Sequence, residues 1–125
     1  MNQKPLPQKG LKRIWAAFFY SLQGLYHTAF HEAAFRQELF LVVFASVVLL
    51  FLPFSFPAKS LLWLATMNIL VVELLNSAVE KVVDLCSPDF HMLAKYAKDF
   101  GSAAVFISIF IAVVLWTGAC WHYCC

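Results

Sequence analysis

Between Glu38 and Lys59 the chain carries no charged side chain, and Leu39 to about Phe56 is an apolar run long enough to cross a bilayer as a helix. Pro53 and Pro57 mark its end and a short turn. A second run, from about Ser60 to Cys86, is apolar through Leu61 to Val72 and then changes character. At helical spacing it carries Glu73, Asn76, Glu80 and Asp84. A third run starts near Gly101 and stays uncharged to about Trp121, closing on Trp116, Trp121 and Tyr123, aromatic residues that favour the headgroup level. Ahead of the first run, over about residues 11–35, Leu11, Ile14, Trp15, Phe18, Leu22 and Leu25 share one helical face, with Lys12, Arg13, Tyr20, Gln23 and His27 on the other. This pattern predicts an amphipathic helix in the membrane interface, or one packed on partner helices. The fold expected is an all-α membrane protein: three transmembrane helices preceded by an amphipathic surface helix.

Composition agrees with this class. Of 125 residues, 62% are hydrophobic and 13% charged, with mean hydropathy +0.76, so a soluble bundle of this size would expose apolar surface it could not hide. A single membrane domain over residues 1–125 is expected, with no internal repeat. The net charge of +2 and the lack of a basic tract with interleaved aromatics argue against nucleic acid as partner. Met1 to Gly10 is polar, with Pro5 and Pro7, and is not a cleavable signal sequence by pattern. Lys4, Lys9, Lys12, Arg13 and Arg36 precede the first span, Lys59 alone follows it, and Lys81, Lys95 and Lys98 lie between the second and third. By the positive-inside rule the N-terminus and the second connection are cytoplasmic, and the C-terminus faces outward. In that connection Ser87-Pro88 is expected to cap a short helix carrying His91, Lys95, Lys98 and Asp99. Cys120, Cys124 and Cys125 crowd the C-terminus, and Cys86 lies apart; a disulfide, a metal site with His122, or an inert tail are the readings open.

Candidate chemistry centres on Glu73, because an ionisable group at membrane depth is costly enough to imply function. At 1.5 Å per residue it lies roughly 20 Å along a helix entering near Ser60, inside a core about 30 Å thick. Glu80 lies seven residues on, on the same face, with Asn76 between. One helical face thus joins lipid to cytosol. Carboxylates with an amide are hard oxygen ligands suited to Mg²⁺, and phosphoryl transfer needs mainly alignment and neutralisation of phosphate charge. Glu32, Arg36 and Glu38 before the first span, and Lys98 and Asp99 before the third, reach the same boundary. The alternative is that these charges only pair with one another. No Gly-x-x-x-x-Gly-Lys-Ser/Thr loop is present, so an ATP site of the soluble type is not indicated. Gly101, Ser102, Ala103 and Ala104 are small residues that permit close helix approach.

The segment Glu73-Leu-Leu-Asn-Ser-Ala-Val-Glu-Lys-Val-Val-Asp84, then His91, then Ala97-Lys-Asp-Phe-Gly-Ser-Ala-Ala-Val105, closely resembles the small prokaryotic integral-membrane diacylglycerol kinases, and Glu32-Ala-Ala-Phe-Arg-Gln-Glu38 is similar to their N-terminal motif. The resemblance runs from Gly10 to the third span. It implies Mg²⁺-requiring, ATP-dependent phosphorylation of diacylglycerol to phosphatidic acid in the bacterial inner membrane, by a homotrimer whose active sites are shared between subunits. By motif, Glu73 resembles the catalytic base, Asn76 an active-site Asn, and Glu32 and Glu80 the Mg²⁺ ligands. Lys98 and Asp99, with Arg13, Tyr20, Asp89, Phe90 and His91, resemble nucleotide contacts together with Glu32 and Glu80. Ser102 resembles a lipid contact, and Arg36, Glu38 and Glu73 are expected on the lipid substrate. A neighbouring branch phosphorylates undecaprenol and shares the Glu-x-x-Asn-x-x-x-Glu core, but the two flanking stretches look more like the diacylglycerol branch. A non-enzymatic membrane protein whose buried acids relay protons or fix an oligomer is the alternative from another class.

Overall fold

The structure, a computed structural model, describes residues 9–125; the readings of Lys4 and of the proline-bearing start of the chain fall outside the described residues. Four helices follow in order: α1 (Leu11–His31), α2 (Ala33–Phe51), α3 (Phe56–Cys86) and α4 (Met92–Cys124), with no strand among the described residues. The last three are long and apolar enough to cross a membrane. At 1.5 Å per residue the 31 residues of α3 extend about 46 Å, well beyond a hydrocarbon core of about 30 Å, so one end of this helix stands out of the lipid. Glu80, Lys81 and Asp84 lie on that end.

The amphipathic stretch does not run through to residue 35 as one helix. Glu32 is extended (φ −106°, ψ 112°), closes α1 through its backbone N–H to the Thr28 carbonyl, and opens α2. Arg36, one turn into α2, donates from its guanidinium to the Phe30 carbonyl at 2.9 Å, covering an acceptor that the end of α1 leaves open. α2 stops at Phe51 because Leu52 precedes Pro53, and the proline ring bars the α conformation from the residue before it. Pro57 then falls in the first turn of α3, where its missing N–H costs nothing, so it starts a helix rather than ending one. Lys59 reaches back to the Leu50 carbonyl at 3.2 Å.

The expectation of a helix capped by Ser87 is corrected. Ser87 closes α3, its hydroxyl donating to the Asp89 carbonyl at 2.9 Å, and Pro88 lies in the turn. His91 is the cap of α4, its Nδ1 accepting from the Leu93 N–H at 3.2 Å. α4 then runs unbroken from Met92, so the charged segment before Gly101 and the third span are one helix. No helix breaker lies between Met92 and Gly101, and a lone glycine does not break a helix held by packing.

α3 is the central helix, packed on α2 along one side and on α4 along the other, while α2 and α4 barely meet. One apolar cluster of Phe35, Val42 and Leu70 seals the α2–α3 seam beside α1, with Ala29 and Leu74 against it. A second, of Leu49, Phe54 and Leu62, closes the opposite end against Leu115 and Trp116 of α4. There Tyr123 ties α4 to the start of α3, its hydroxyl donating to Ser55 Oγ at 2.6 Å. Between the clusters Trp116 Nε1 donates to Thr66 Oγ1 at 3.0 Å, and Thr66 donates on to the Leu62 carbonyl at 2.6 Å. This chain of bonds satisfies polar groups that lipid cannot. A wide apolar cleft of about 430 Å³ remains where α2 and α4 stay apart, with Glu38 at one end and Thr117 at the other.

Candidate active site

Glu73 is 5% exposed and Asn76 9%, both on the face of α3 turned into the chain. Asn76 Nδ2 donates to Glu80 Oε1 at 3.3 Å, a bond between residues one turn apart on that face. The other amide atom, Asn76 Oδ1, is buried with no hydrogen-bond partner. It sits over Gly101 of α4, where a Cβ would land on it. The small-residue run therefore does permit close approach, but at Gly101 alone; Ser102, Ala103 and Ala104 are exposed.

Four carboxylates lie near one another here, two of them on α3. Glu73 lies within electrostatic reach of Glu80 and of Glu32, and Glu38 of α2 lies within reach of Glu73. Glu38 Oε2 is buried and unpartnered like Asn76 Oδ1. Glu32 Oε1 pairs with Lys81 Nζ at 2.6 Å, tying the α1–α2 junction to α3. That hydrogen bond from Lys81 holds the Glu32 carboxyl below its ordinary value, with the Lys81 charge adding to it. The other ion pairs are Lys98–Asp84 at 2.5 Å and Lys95–Asp99 at 2.6 Å. Mutual pairing thus accounts for Glu32, Lys81, Asp84, Lys95, Lys98 and Asp99, but among the described residues no ion pair reaches Glu73, Glu38 or Glu80.

Next to this face, a pocket of about 350 Å³ opens between the end of α3 and the start of α4. Asp89, Phe90, His91, Lys98 and Asp99, each singled out by motif, all line it. Asp84, Ser87 and Lys95 line it too and were not assigned there from sequence. The signal for Asp84 was available: it continues the spacing Glu73, Asn76, Glu80 by another turn. Arg13 and Tyr20 are exposed on α1 and line neither this pocket nor the apolar cleft. Ser102 is exposed on α4, and Arg36 is engaged in closing α1. The four cysteines are free and exposed. Among the described residues no group of three His, Cys, Asp or Glu stands close enough to hold a metal ion by itself. Glu32 and Glu80 nonetheless carry hard oxygen donors, the kind a small divalent cation takes alongside water and phosphate.

A family model for prokaryotic diacylglycerol kinase matches residues 19–119. The diacylglycerol kinase of Escherichia coli (strain K12) is 42% identical over 114 residues, 91% of this chain and 93% of that protein. That of Helicobacter pylori (strain ATCC 700392 / 26695) is 42% identical over 112 residues, 90% and 88% of the two chains, and that of Pseudomonas aeruginosa (strain PAO1) 44% over 109 residues, 87% and 89%. The stretch matched by the family model contains the acidic face of α3, the pocket beside it, all of α2 and α3, and α4 as far as Ala119. This chain is a membrane protein that belongs to the prokaryotic diacylglycerol kinase family.

Proposed function

We propose that the chain phosphorylates diacylglycerol to phosphatidic acid with ATP as donor, at the cytoplasmic boundary of the bacterial inner membrane. The observation that carries this reading is the position of Glu73: buried, without a basic partner among the described residues, and on the same helical face as Asn76 and Glu80, which lead to a polar pocket at the end of α3. Counted from the start of α3 at Phe56, Glu73 lies roughly 26 Å along the helix, close to where a core about 30 Å thick ends. A lipid alcohol reaches that depth from the side, and a nucleotide reaches it from the water.

Glu73 takes the proton of the glycerol hydroxyl as its oxygen attacks the γ-phosphorus of ATP. The bond from that phosphorus to the β–γ bridging oxygen breaks, and ADP leaves with the electron pair. Asn76 Oδ1 and Glu38 Oε2, both buried and unpartnered, are acceptors placed to orient a hydroxyl before transfer. In the pocket, Lys98 faces phosphate while Asp89, Phe90, His91 and Asp99 hold the rest of the nucleotide, with Arg13 and Tyr20 supplied by a neighbouring subunit. Arg36 and Ser102 lie on the lipid side. Glu32 and Glu80 are the residues to hold Mg²⁺, which when bound neutralises phosphate charge. The all-oxygen chemistry of these two carboxylates fits that ion.

The single domain over residues 1–125 works as a homotrimer with shared sites. Two features support this: Arg13 and Tyr20 do not line the pocket of their own chain, and large apolar side chains stay exposed along α2, α3 and α4. The N-terminus and the connection between α3 and α4 are cytoplasmic and the C-terminus outward, supported by the excess of Lys and Arg on the first two. The deciding experiment is a kinase assay of the purified chain with Mg-ATP over a panel of lipid alcohols. Diacylglycerol is expected to be phosphorylated far faster than undecaprenol; the opposite order would move the chain to the undecaprenol branch.

A further inference from the structure

His27 and His31 stand four residues apart on α1, outside the chemistry assigned above, so their side chains share one face of the helix. Their rings stack with centroids 4.2 Å apart and planes 17° from parallel, and both are open to solvent. His31 Nδ1 lies 2.9 Å from the His27 carbonyl oxygen. A carbonyl only accepts, so this nitrogen carries the proton and the Nε2 lone pair of His31 is left free. A hydrogen bond from one ring nitrogen to a backbone carbonyl is the arrangement that orients a metal-ligating histidine through its other nitrogen. The carboxylate of Glu32, next in the chain, lies within electrostatic reach of both imidazoles and adds negative potential for a cation.

We propose that His27 and His31 form a two-imidazole site for a divalent transition metal of borderline softness, such as Ni²⁺ or Zn²⁺. Imidazole pairs suit these ions and not Mg²⁺, which takes hard oxygen ligands, so this site is chemically distinct from the one proposed for the kinase reaction. Among the described residues no third His, Cys, Asp or Glu completes the set, so water fills the remaining positions and the ion exchanges readily. The competing explanation is that the two rings only stack, with His31 favoured at the last turn by the helix dipole; that arrangement binds no metal.

The test is calorimetric titration of NiCl₂ into the untagged full chain in detergent micelles, repeated on His27→Gln, on His31→Gln and on a His91→Gln/His122→Gln control. Losing a ligand costs at least as much as losing an outer-shell partner, so each of the first two variants is expected to weaken Ni²⁺ binding by at least about tenfold. The control is expected to bind as the parent does. Both rings lie on an exposed surface, and unchanged helical circular dichroism identifies the variants as folded. The proposal is overturned if the parent chain binds no Ni²⁺, if either single variant binds as tightly as the parent, or if only the control loses the ion. Binding is read without nucleotide or lipid, so the result is independent of the kinase assay.

Discussion

Within a turn on its own face Glu73 has only the neutral Asn76 and Ser77 as polar neighbours, and among the described residues no ion pair offsets its charge. Replacement by Gln keeps the shape and removes the proton acceptor. Glu73→Gln is expected to lower turnover by about 10²–10⁴-fold, the usual range for loss of a positioned base, while the purified variant keeps its helical circular dichroism and oligomer size. Substantial turnover in this variant would mean that another group takes the proton. Gly101 gives a second test at the same scale. A methyl group there meets the end of the Asn76 side chain rather than backbone, so the amide swings away from Glu80 and the helices need not part. Gly101→Ala is expected to lower kcat by about 10²-fold, the effect of a misplacement of about 1 Å, with destabilisation at or below the low end of the 1–3 kcal/mol typical of overpacking. Parallel kinase assays and denaturation curves separate the two effects. Glu73 and Asn76 were legible in sequence because polar atoms in an apolar run stand out. Gly101 was legible only as a small residue; which atom fills its gap depends on how α4 is rotated against α3.

α3 and α4 are joined along their length by few polar contacts, of which Trp116 to Thr66 is the partly buried one that crosses the seam. In lipid such bonds have been worth about 0.6 kcal/mol on average, less than the cost of a bare polar group in hydrocarbon would suggest. A double-mutant cycle of Trp116→Phe and Thr66→Val is therefore expected to give a coupling of about 0.6 kcal/mol in equilibrium unfolding from micelles. A coupling near zero would show that the unfolded helices find equivalent partners. Helix ends were the least legible feature at this scale. The pattern over residues 11–35 is continuous in hydrophobicity, and nothing local announces that Glu32 leaves the helix; its backbone turn goes with the pairing of its side chain to Lys81, 49 positions away in sequence. Ser87-Pro88 satisfies the local rule for a helix start, yet the chain needs a reversal there, and His91 supplies the cap once α4 has turned back. Local rules state what a segment tolerates, and the tertiary contacts choose among the tolerated forms.

For the whole molecule, α2 and α4 flank α3 without closing on each other, and Arg13 and Tyr20 do not line the pocket that their motif assigns them. If active sites are completed between subunits, mixing two inactive chains must restore activity. Glu73→Gln and Arg13→Ala subunits, each near inactive alone, are expected to regain a measurable part of parental turnover after co-reconstitution. No recovery at any mixing ratio would place every functional group within one chain. The all-helical membrane class and its three long helices follow from the sequence alone, because a bilayer leaves few ways to satisfy backbone polar groups and hydropathy reports them directly. The shared face of Glu73, Asn76 and Glu80 follows too, since helical period is a local property. The tertiary structure alone decided that Asn76 Oδ1 and Glu38 Oε2 are left unpartnered, that Gly101 makes room for the amide, and that residues 84–99 close into a pocket. Each of these depends on the rotation and approach of helices far apart in the chain, which packing sets and no local pattern encodes.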